Sequence, residues 1–176
     1  MDPLLGLESG VVRLVPYDPR WPEAFRAEAT RLRAAIAPLV LTFEHTGSTA
    51  VSGLLAKPVL DILAGYEDPG LLSRFIAALT AAGYRHRGPQ GIPTREFFRR
   101  GEPRAYHVHL TQVGSSFWSD HLAFRDALRR DPRAREEYAR LKSALATQHP
   151  RNREAYIEGK TAFVQAVLAR TRILAE

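Results

Sequence analysis

Residues 43–63, FEHTGSTAVSGLLAKPVLDIL, contain several of the residue types that proteins use to hold phosphate groups. Gly47, Ser48 and Thr49 follow a strand-like run and precede a short segment of small residues. Glycine lets the backbone approach a ligand closely, and the free N–H groups at a helix start attract a phosphate. The triplet therefore predicts an anion-binding turn, and a hydroxyl-capped turn without a ligand is the alternative.

The strand after this turn carries one carboxylate. Asp61 lies within the apolar run VLDIL, residues 59–63, where an unpaired buried carboxylate would cost several kcal/mol. Its side chain therefore needs a metal, a lysine or a set of amide donors as a partner. Lys57 is held extended by the proline after it, which places it near the mouth of the same site. It is a candidate phosphate contact, and a surface lysine is the alternative.

His107 and His109 are two residues apart in the run YHVHL, so on a strand both rings project from one face. That spacing suits a metal ion or two phosphate contacts, whereas histidines satisfied by neighbouring groups are the alternative. If this strand lies beside the strand of Asp61, the three groups converge on one site.

The strand before the turn offers a further candidate. Glu44 and His45 alternate along it, so one of them faces the same pocket as Ser48, and we assign His45 to substrate binding. Arg95 begins the basic run REFFRR, whose arginines either clamp anionic oxygens or protect an exposed strand edge.

Two lysines near the C-terminus have a plainer interpretation. Lys142 and Lys160 lie beside the apolar stripes of predicted helices. Long side chains at such boundaries carry their charge out to solvent, and we expect the same of these two.

The hydrophobic pattern predicts the elements that position these residues. Strands are expected at residues 11–16, 39–45, 58–66, 95–100 and 106–111. Helices are expected after residue 20, between Gly70 and Gly83, and throughout the chain from Ser116, with breaks at Asp131-Pro132 and at Pro150. Residues 86–93 are predicted to form a mobile loop. This order predicts an α+β fold, a mixed sheet of about five strands with flanking helices and a C-terminal helical layer.

The amino-acid composition limits the classes of protein to which this chain can belong. The chain has 176 residues and no linker-like segment, so we expect one domain over residues 1–176. It has no cysteine and no apolar run long enough for a membrane span, which favours a cytoplasmic protein without a membrane partner. The net charge of +6 favours an anionic partner. The basic run at residues 125–140 is interspersed with acids, as on a solvated helix, so nucleic acid is the less favoured partner.

Six segments together resemble the GrpB family. They are VPYDPRWP at 15–22, EHTGSTAVSGL at 44–54, AKPVLDI at 56–62, HVHL at 107–110, FRDAL at 124–128 and YIEGK at 156–160. The resemblance covers nearly the whole chain. This family is similar to the polymerase-beta-like nucleotidyltransferase superfamily and also occurs as a domain fused behind dephospho-CoA kinase in some bacteria.

The resemblance implies a Gly-Ser turn that holds a triphosphate and a downstream strand that presents acids to a divalent metal, Mg²⁺ or Mn²⁺. In the superfamily that strand carries two acids spaced two apart. Asp61 matches the first, and Leu63 stands where the second should be. The implied metal ligands are therefore Asp61 and His109, and the implied catalytic residues are Asp61, His107 and His109.

Three functions follow from these expectations. The first is transfer of a nucleotidyl or related phosphate group from a nucleotide held by the Gly-Ser-Thr turn. The second is binding of a nucleotide or another anionic metabolite without chemistry. The third is a protein-interaction or folding-aid module, as the occurrence beside a kinase would allow.

Overall fold

The computed structural model describes residues 4–173 of the chain. Five strands form one sheet in the order β1-β2-β5-β4-β3. Their bounds are β1 (Thr42–Thr46), β2 (Leu60–Tyr66), β3 (Arg85–His86), β4 (Glu96–Arg100) and β5 (Tyr106–Gln112). β2 and β5 are parallel, and the other neighbouring pairs are antiparallel.

Six α-helices accompany the sheet. They are α1 (Trp21–Ile36), α2 (Leu72–Ala81), α3 (Ser116–Arg130), α4 (Pro132–Gln148), α5 (Arg153–Glu158) and α6 (Thr161–Ile173). Short 3₁₀ turns occupy Ser48–Ala50 and Pro69–Leu71. The predicted α+β class, with a mixed five-stranded sheet and a C-terminal helical layer, is confirmed. Within residues 4–173, every helix is too short or too polar to cross a bilayer.

The two faces of the sheet differ because side chains alternate along each strand. Ile62, Val108 and Phe98 point to one face, where they are fully buried against apolar residues of α1 and α2. Asp61 and His107, their chain neighbours, point to the opposite face, which the C-terminal helices cover. The first face is therefore the main core, and the second face holds the site.

Side-chain caps fix where the C-terminal helices begin. Ser115 accepts a hydrogen bond from the Trp118 N–H, and Asp131 accepts from the N–H groups of Arg133 and Ala134. Proline at the first position of α4 costs no hydrogen bond, because that N–H has no partner within a helix. The predicted break at Asp131-Pro132 is present.

One predicted strand is wrong, and one strand of the sheet was not predicted. Residues 11–16 do not form a strand: Val15 makes only an isolated bridge to Ala56, and Pro16 has no N–H with which to continue a ladder. The fifth strand is instead β3, in the stretch that also contains the predicted mobile loop. β3 has two exposed residues, too few for a period of two to show in the sequence.

The last predicted helix is divided into α5 and α6, which meet at Gly159. A Cβ at Gly159 would collide with the side chain of Leu145, so α4 can pack closely against this junction. Leu174, which the helical pattern also placed inward, lies outside the described residues.

A close contact between β2 and α3 anchors the helical layer to the sheet. A Cβ added at Gly65 would lie 2.5 Å from Trp118 Cζ3 and 2.6 Å from Val113 Cγ2. Trp118 is 8% exposed, so its indole packs directly on the strand backbone in the first turn of α3. This contact determines the distance between α3 and the second face of the sheet.

We therefore expect Gly65→Ala to lower the free energy of unfolding by about 1–3 kcal/mol, because the added methyl group overpacks the contact. Chemical denaturation measures the loss. On a Trp118→Ala background the same substitution should cost less, since most of the obstruction has been removed. Equal costs on the two backgrounds would show that the indole does not set the spacing.

Candidate functional site

Strand register brings the central acid and two histidines together. Asp61 on β2 is paired with His107 on the parallel strand β5, and His109 follows two residues later on the same face. The Nδ1 atom of His107 lies 3.0 Å from Asp61 Oδ1, and the Nε2 atom of His109 lies 3.4 Å from the same oxygen. One carboxylate oxygen thus accepts hydrogen bonds from both rings.

These hydrogen bonds determine the charge of the cluster. Burial alone would raise the pKa of Asp61, but its hydrogen bonds to His107 and His109 hold that pKa well below the usual range. Burial also lowers the pKa of both histidines, and Asp61 only partly opposes it. At neutral pH the cluster therefore carries an ionised carboxylate beside two neutral imidazoles.

Gly47 brings the anion-binding turn against this carboxylate. Thr46 pairs with Asp61 across β1 and β2, so the turn begins directly beside the acid. Gly47 has φ +70°, and a Cβ there would lie 2.5 Å from Asp61 Oδ2. Both the backbone conformation and the close approach thus require glycine.

A cavity of about 530 Å³ opens over the second face of the sheet. All the predicted site residues except His45 line it, namely Gly47, Ser48, Thr49, Lys57, Asp61, Arg95, His107 and His109. The structure therefore brings these residues into one place, while their roles in binding or chemistry remain predictions.

His45 lies on the other face of β1. Its ring stacks on Phe25 with centroids 4.9 Å apart, and its Nε2 atom lies 3.0 Å from Thr49 Oγ1. Burial lowers the pKa of His45 to about 4, so the ring is neutral. Strand alternation instead puts Glu44 on the face of the site, where its carboxylate is 2.7 Å from Arg125. The structure thus corrects the assignment of His45 to direct substrate contact: it holds Thr49 in position.

Arg95 is the one arginine of the REFFRR run that lines the cavity. It is 9% exposed, and its guanidinium donates to the Pro89 carbonyl at 2.8 Å and lies 5.0 Å from the Phe97 ring centroid. Arg100 points to the other face and forms an ion pair with Glu28 at 2.6 Å. A clamp of several arginines from β4 is therefore absent from this cavity.

Lys142 does not extend to solvent, contrary to the sequence-based prediction, and Lys160 is only partly exposed. Lys142 is 2% exposed, and its ammonium donates to Ser48 Oγ at 2.8 Å and to the Leu55 carbonyl. The Nζ atom of Lys160 lies 4.5 Å from the Tyr156 ring centroid, at the cavity wall. The apolar stripe of α4 faces the sheet rather than an open boundary, so Lys142 is carried inward.

Burial changes the charge state of these amines. It lowers the pKa of Lys57 to about 8 and that of Lys160 to about 7, and it holds the pKa of Lys142 well below its usual range. The lysines also repel one another, and only Asp61 favours their charged forms among the causes of these shifts. The cavity has more basic than acidic side chains in its lining.

Sequence reasoning missed several lining residues, namely His121, Tyr138, Lys142, Arg153, Tyr156 and Lys160. Two of them, Tyr156 and Lys160, belong to the YIEGK segment of the family resemblance. A charged residue within an apolar stripe was the signal that singled out Asp61, and Lys142 carries the same signal.

His121 on α3 has a defined tautomer. Its Nδ1 atom lies 2.8 Å from the Phe117 carbonyl, which only accepts hydrogen bonds, so Nδ1 carries the proton. Burial lowers the pKa of His121 to about 4, which leaves Nε2 unprotonated at neutral pH. Nε2 is therefore free to accept a hydrogen bond in the cavity, while burial makes the ring a weak base.

Asp61, His107 and His109 are also suited to hold a metal ion, because their ligand atoms all lie within 4.8 Å of one another. The second acid implied by the resemblance is absent at this point. Leu63, at that position, is fully buried and pairs with Glu44 and His109 on its two sides. The residues present thus fit a single ion rather than a bridged pair.

Comparison with known proteins gives relatives along most of the chain. The family model described as GrpB protein matches residues 11–170. UPF0157 protein YqkA of Bacillus subtilis is 36% identical over 155 residues, which cover 88% of this chain and 45% of that protein. The chain thus spans less than half the length of this relative. The dephospho-CoA kinase of Mycobacterium tuberculosis is 32% identical over 156 residues, covering 74% of this chain and 38% of the kinase.

Solved structures give the same result for the fold. The GrpB protein of Enterococcus faecalis matches with a TM-score of 0.83 at 32% identity, covering 93% of this chain and 100% of that one. The Cid1 poly(U) polymerase with Mg and 3′-dATP bound matches with a TM-score of 0.55 at 14% identity, covering 77% of this chain and 44% of that one. At this identity the likeness to Cid1 concerns the fold alone, which is nucleotidyltransferase-like. The family model and the Enterococcus structure confirm the resemblance seen in the sequence: the chain belongs to the GrpB family.

Proposed function

We propose that this protein transfers a nucleotidyl or related phosphate group from a nucleoside triphosphate to an acceptor. One observation carries the proposal: an ionised carboxylate with two imidazoles shares a cavity with the Gly-Ser-Thr turn and five basic side chains. The fold of Cid1, a polymerase with Mg and a nucleotide bound, supports a nucleotide as the ligand.

The excess of basic side chains in the cavity lining complements the negative charge of a polyphosphate. Five basic side chains line it, those of Lys57, Arg95, Lys142, Arg153 and Lys160, against the carboxylates of Asp61 and Glu154. Burial and repulsion by neighbouring basic groups lower the pKa values of the three lysines, and a triphosphate would supply negative charge that favours their charged forms. The backbone N–H groups of Ser48 and Thr49, at the start of the 3₁₀ turn, add donors of the kind that hold phosphate oxygens.

Different residues of the cavity would serve different steps of the phosphate-group transfer. An acceptor hydroxyl attacks a phosphorus atom, the bond from that phosphorus to the leaving phosphate oxygen breaks, and the hydroxyl loses its proton. His121 Nε2 accepts a hydrogen bond from the attacking hydroxyl and orients it, and the proton passes to solvent water, because burial keeps the ring a weak base. Lys142 and Ser48, joined at 2.8 Å, stabilise charge on the departing phosphate. A divalent metal held by Asp61, His107 and His109, Mn²⁺ or Mg²⁺, would polarise the phosphate.

A second function rests on Leu63. With one carboxylate where the superfamily has two, the same cavity suits binding of a nucleotide or anionic metabolite without turnover. The partner in either case is a phosphate-bearing ligand, and the two functions differ in whether product forms.

We expect Asp61→Asn to reduce metal-dependent incorporation of label from an NTP by about a hundredfold or more, because the amide carries no charge. The assay follows labelled product and released pyrophosphate with Mg²⁺ or Mn²⁺. Asp120→Asn, which removes an exposed ion pair with Arg172, is the control and should behave as wild type. Full activity in Asp61→Asn contradicts the proposal. Nucleotide-induced thermal stabilisation without product supports the binding function instead.

We expect Lys142→Met to abolish nucleotide-induced stabilisation while leaving the ligand-free protein as stable or up to about 3 kcal/mol more stable, because a buried amine is removed. Thermal melts with and without ATP measure both effects. Arg140→Met, on the exposed side of the same helix, is the control. Loss of several kcal/mol with retained ATP binding would show that Lys142 is only structural.

Affinity for ATP should fall as the pH rises from about 7 to about 9, because Lys160 and Lys57, with pKa values of about 7 and about 8, become neutral and no longer attract the anion. Binding should also take up protons in this range, since a bound anion favours the charged amines. Calorimetry in two buffers of different ionisation enthalpy measures both. Lys160→Gln should remove the lower part of the dependence, and an unchanged pH profile in that variant counts against the role of Lys160.

A further inference from the structure

The donor atoms around Asp61 Oδ1 have the separations of ligands that share one ion. Nitrogen and oxygen ligands about 2.1 Å from a metal lie about 3.0 Å apart at a right angle and about 3.4 Å apart at a tetrahedral angle. His107 Nδ1 and His109 Nε2 lie 3.0 and 3.4 Å from Asp61 Oδ1. An ion beside Asp61 Oδ1 could therefore take the place of the two hydrogen bonds, with the proton of each ring moving to its other nitrogen, Nε2 of His107 and Nδ1 of His109.

The chemical type of the ligand atoms determines which metal ion the cluster prefers. Mg²⁺ requires nearly octahedral oxygen coordination, whereas imidazole nitrogen suits first-row transition ions. The cluster offers one carboxylate and two imidazoles, and Leu63 removes the oxygen that a second acid would supply. Magnesium would have a single oxygen-bearing protein ligand here.

Packing holds both rings in orientation before any ion arrives. Phe97 contacts His107 and His109 with ring centroids 5.0 and 5.2 Å apart, and Phe117 lies 5.9 Å from His109. Arg95 approaches His109 Nδ1 at 3.4 Å and can release it, because the guanidinium keeps its 2.8 Å bond to the Pro89 carbonyl. Ligands fixed in this way lose little freedom when a metal binds.

We propose that Asp61, His107 and His109 form a two-histidine, one-carboxylate site for a first-row transition dication, with affinities in the order Zn²⁺, then Mn²⁺, then Mg²⁺. The lysines of the cavity repel all three ions equally, because the ions carry the same charge, so the order is set by the donors. This inference deepens the proposed function by naming the metal class of the same site, yet metal binding is measured without any nucleotide.

The test uses chelator-treated, tag-free protein titrated separately with ZnCl₂, MnCl₂ and MgCl₂, followed by calorimetry and thermal melts, with Mn²⁺ also followed by electron paramagnetic resonance. We expect Zn²⁺ and Mn²⁺ each to bind at least about tenfold more tightly than Mg²⁺. Magnesium binding as tight as manganese binding, or no binding of any ion below millimolar concentration, overturns the inference.

Two variants test whether the ion binds at these three residues and whether the nitrogen ligands set its preference. His109→Asp exchanges a nitrogen donor for an oxygen donor, so the preference for Zn²⁺ over Mg²⁺ should shrink by about tenfold or more. His86→Gln removes the exposed histidine that lies 2.6 Å from Glu96 outside the cavity and should leave all three affinities unchanged. Loss of Zn²⁺ binding in His86→Gln overturns the inference. Ion binding in the predicted order without NTP turnover contradicts the proposed function alone.

Discussion

An ionised carboxylate on an interior strand is the constraint on which the rest of the site depends. Asp61 lies on β2 between β1 and β5, so neighbouring backbone on both sides excludes part of the water that would solvate its charge, and its side chain keeps 30% of its surface exposed toward the cavity. A charge in that position needs donors at close range. The imidazoles of His107 and His109 provide them on one side, and the bare backbone of Gly47 makes room on the other.

The parallel pairing of β2 and β5 supplies the donors that this carboxylate needs. Parallel strands place Asp61 beside His107 and Leu63 beside His109, so the two rings converge on a single carboxylate oxygen. The histidines are then neutral donors, which leaves the negative charge of the acid uncancelled within the cluster. That charge favours the protonated forms of Lys142 and Lys160, which otherwise repel one another and Lys57. The acid therefore stabilises the cationic cavity as well as the site at its floor.

The sequence was enough to predict the elements with strong patterns. The apolar run interrupted by Asp61, the alternation around His107 and the proline at the start of α4 are local signals, and the elements they predict are present. The adjacency of β2 and β5 is not a local signal, because about forty residues and three elements separate the strands in the chain. His45 shows the same limit, since alternation required one of two neighbours to face the site and only the sheet register determines which.

Lys142 shows why the orientation of a lysine on a core-facing helix is hard to predict from the sequence. Its stripe on α4 includes Tyr138 and Leu145, which are buried, and a lysine in such a stripe ordinarily carries its charge to solvent at the edge. Here the stripe crosses the turn that follows β1, so the amine meets Ser48 Oγ and the Leu55 carbonyl instead of water. These two oxygens satisfy hydrogen bonds but bring no full negative charge. The ligand-free fold thus retains an electrostatic cost that an anion in the cavity would relieve, as expected where stability has been given up for binding. Leu63 adds to this imbalance, because a carboxylate at that position would have neutralised one more of the surrounding cations.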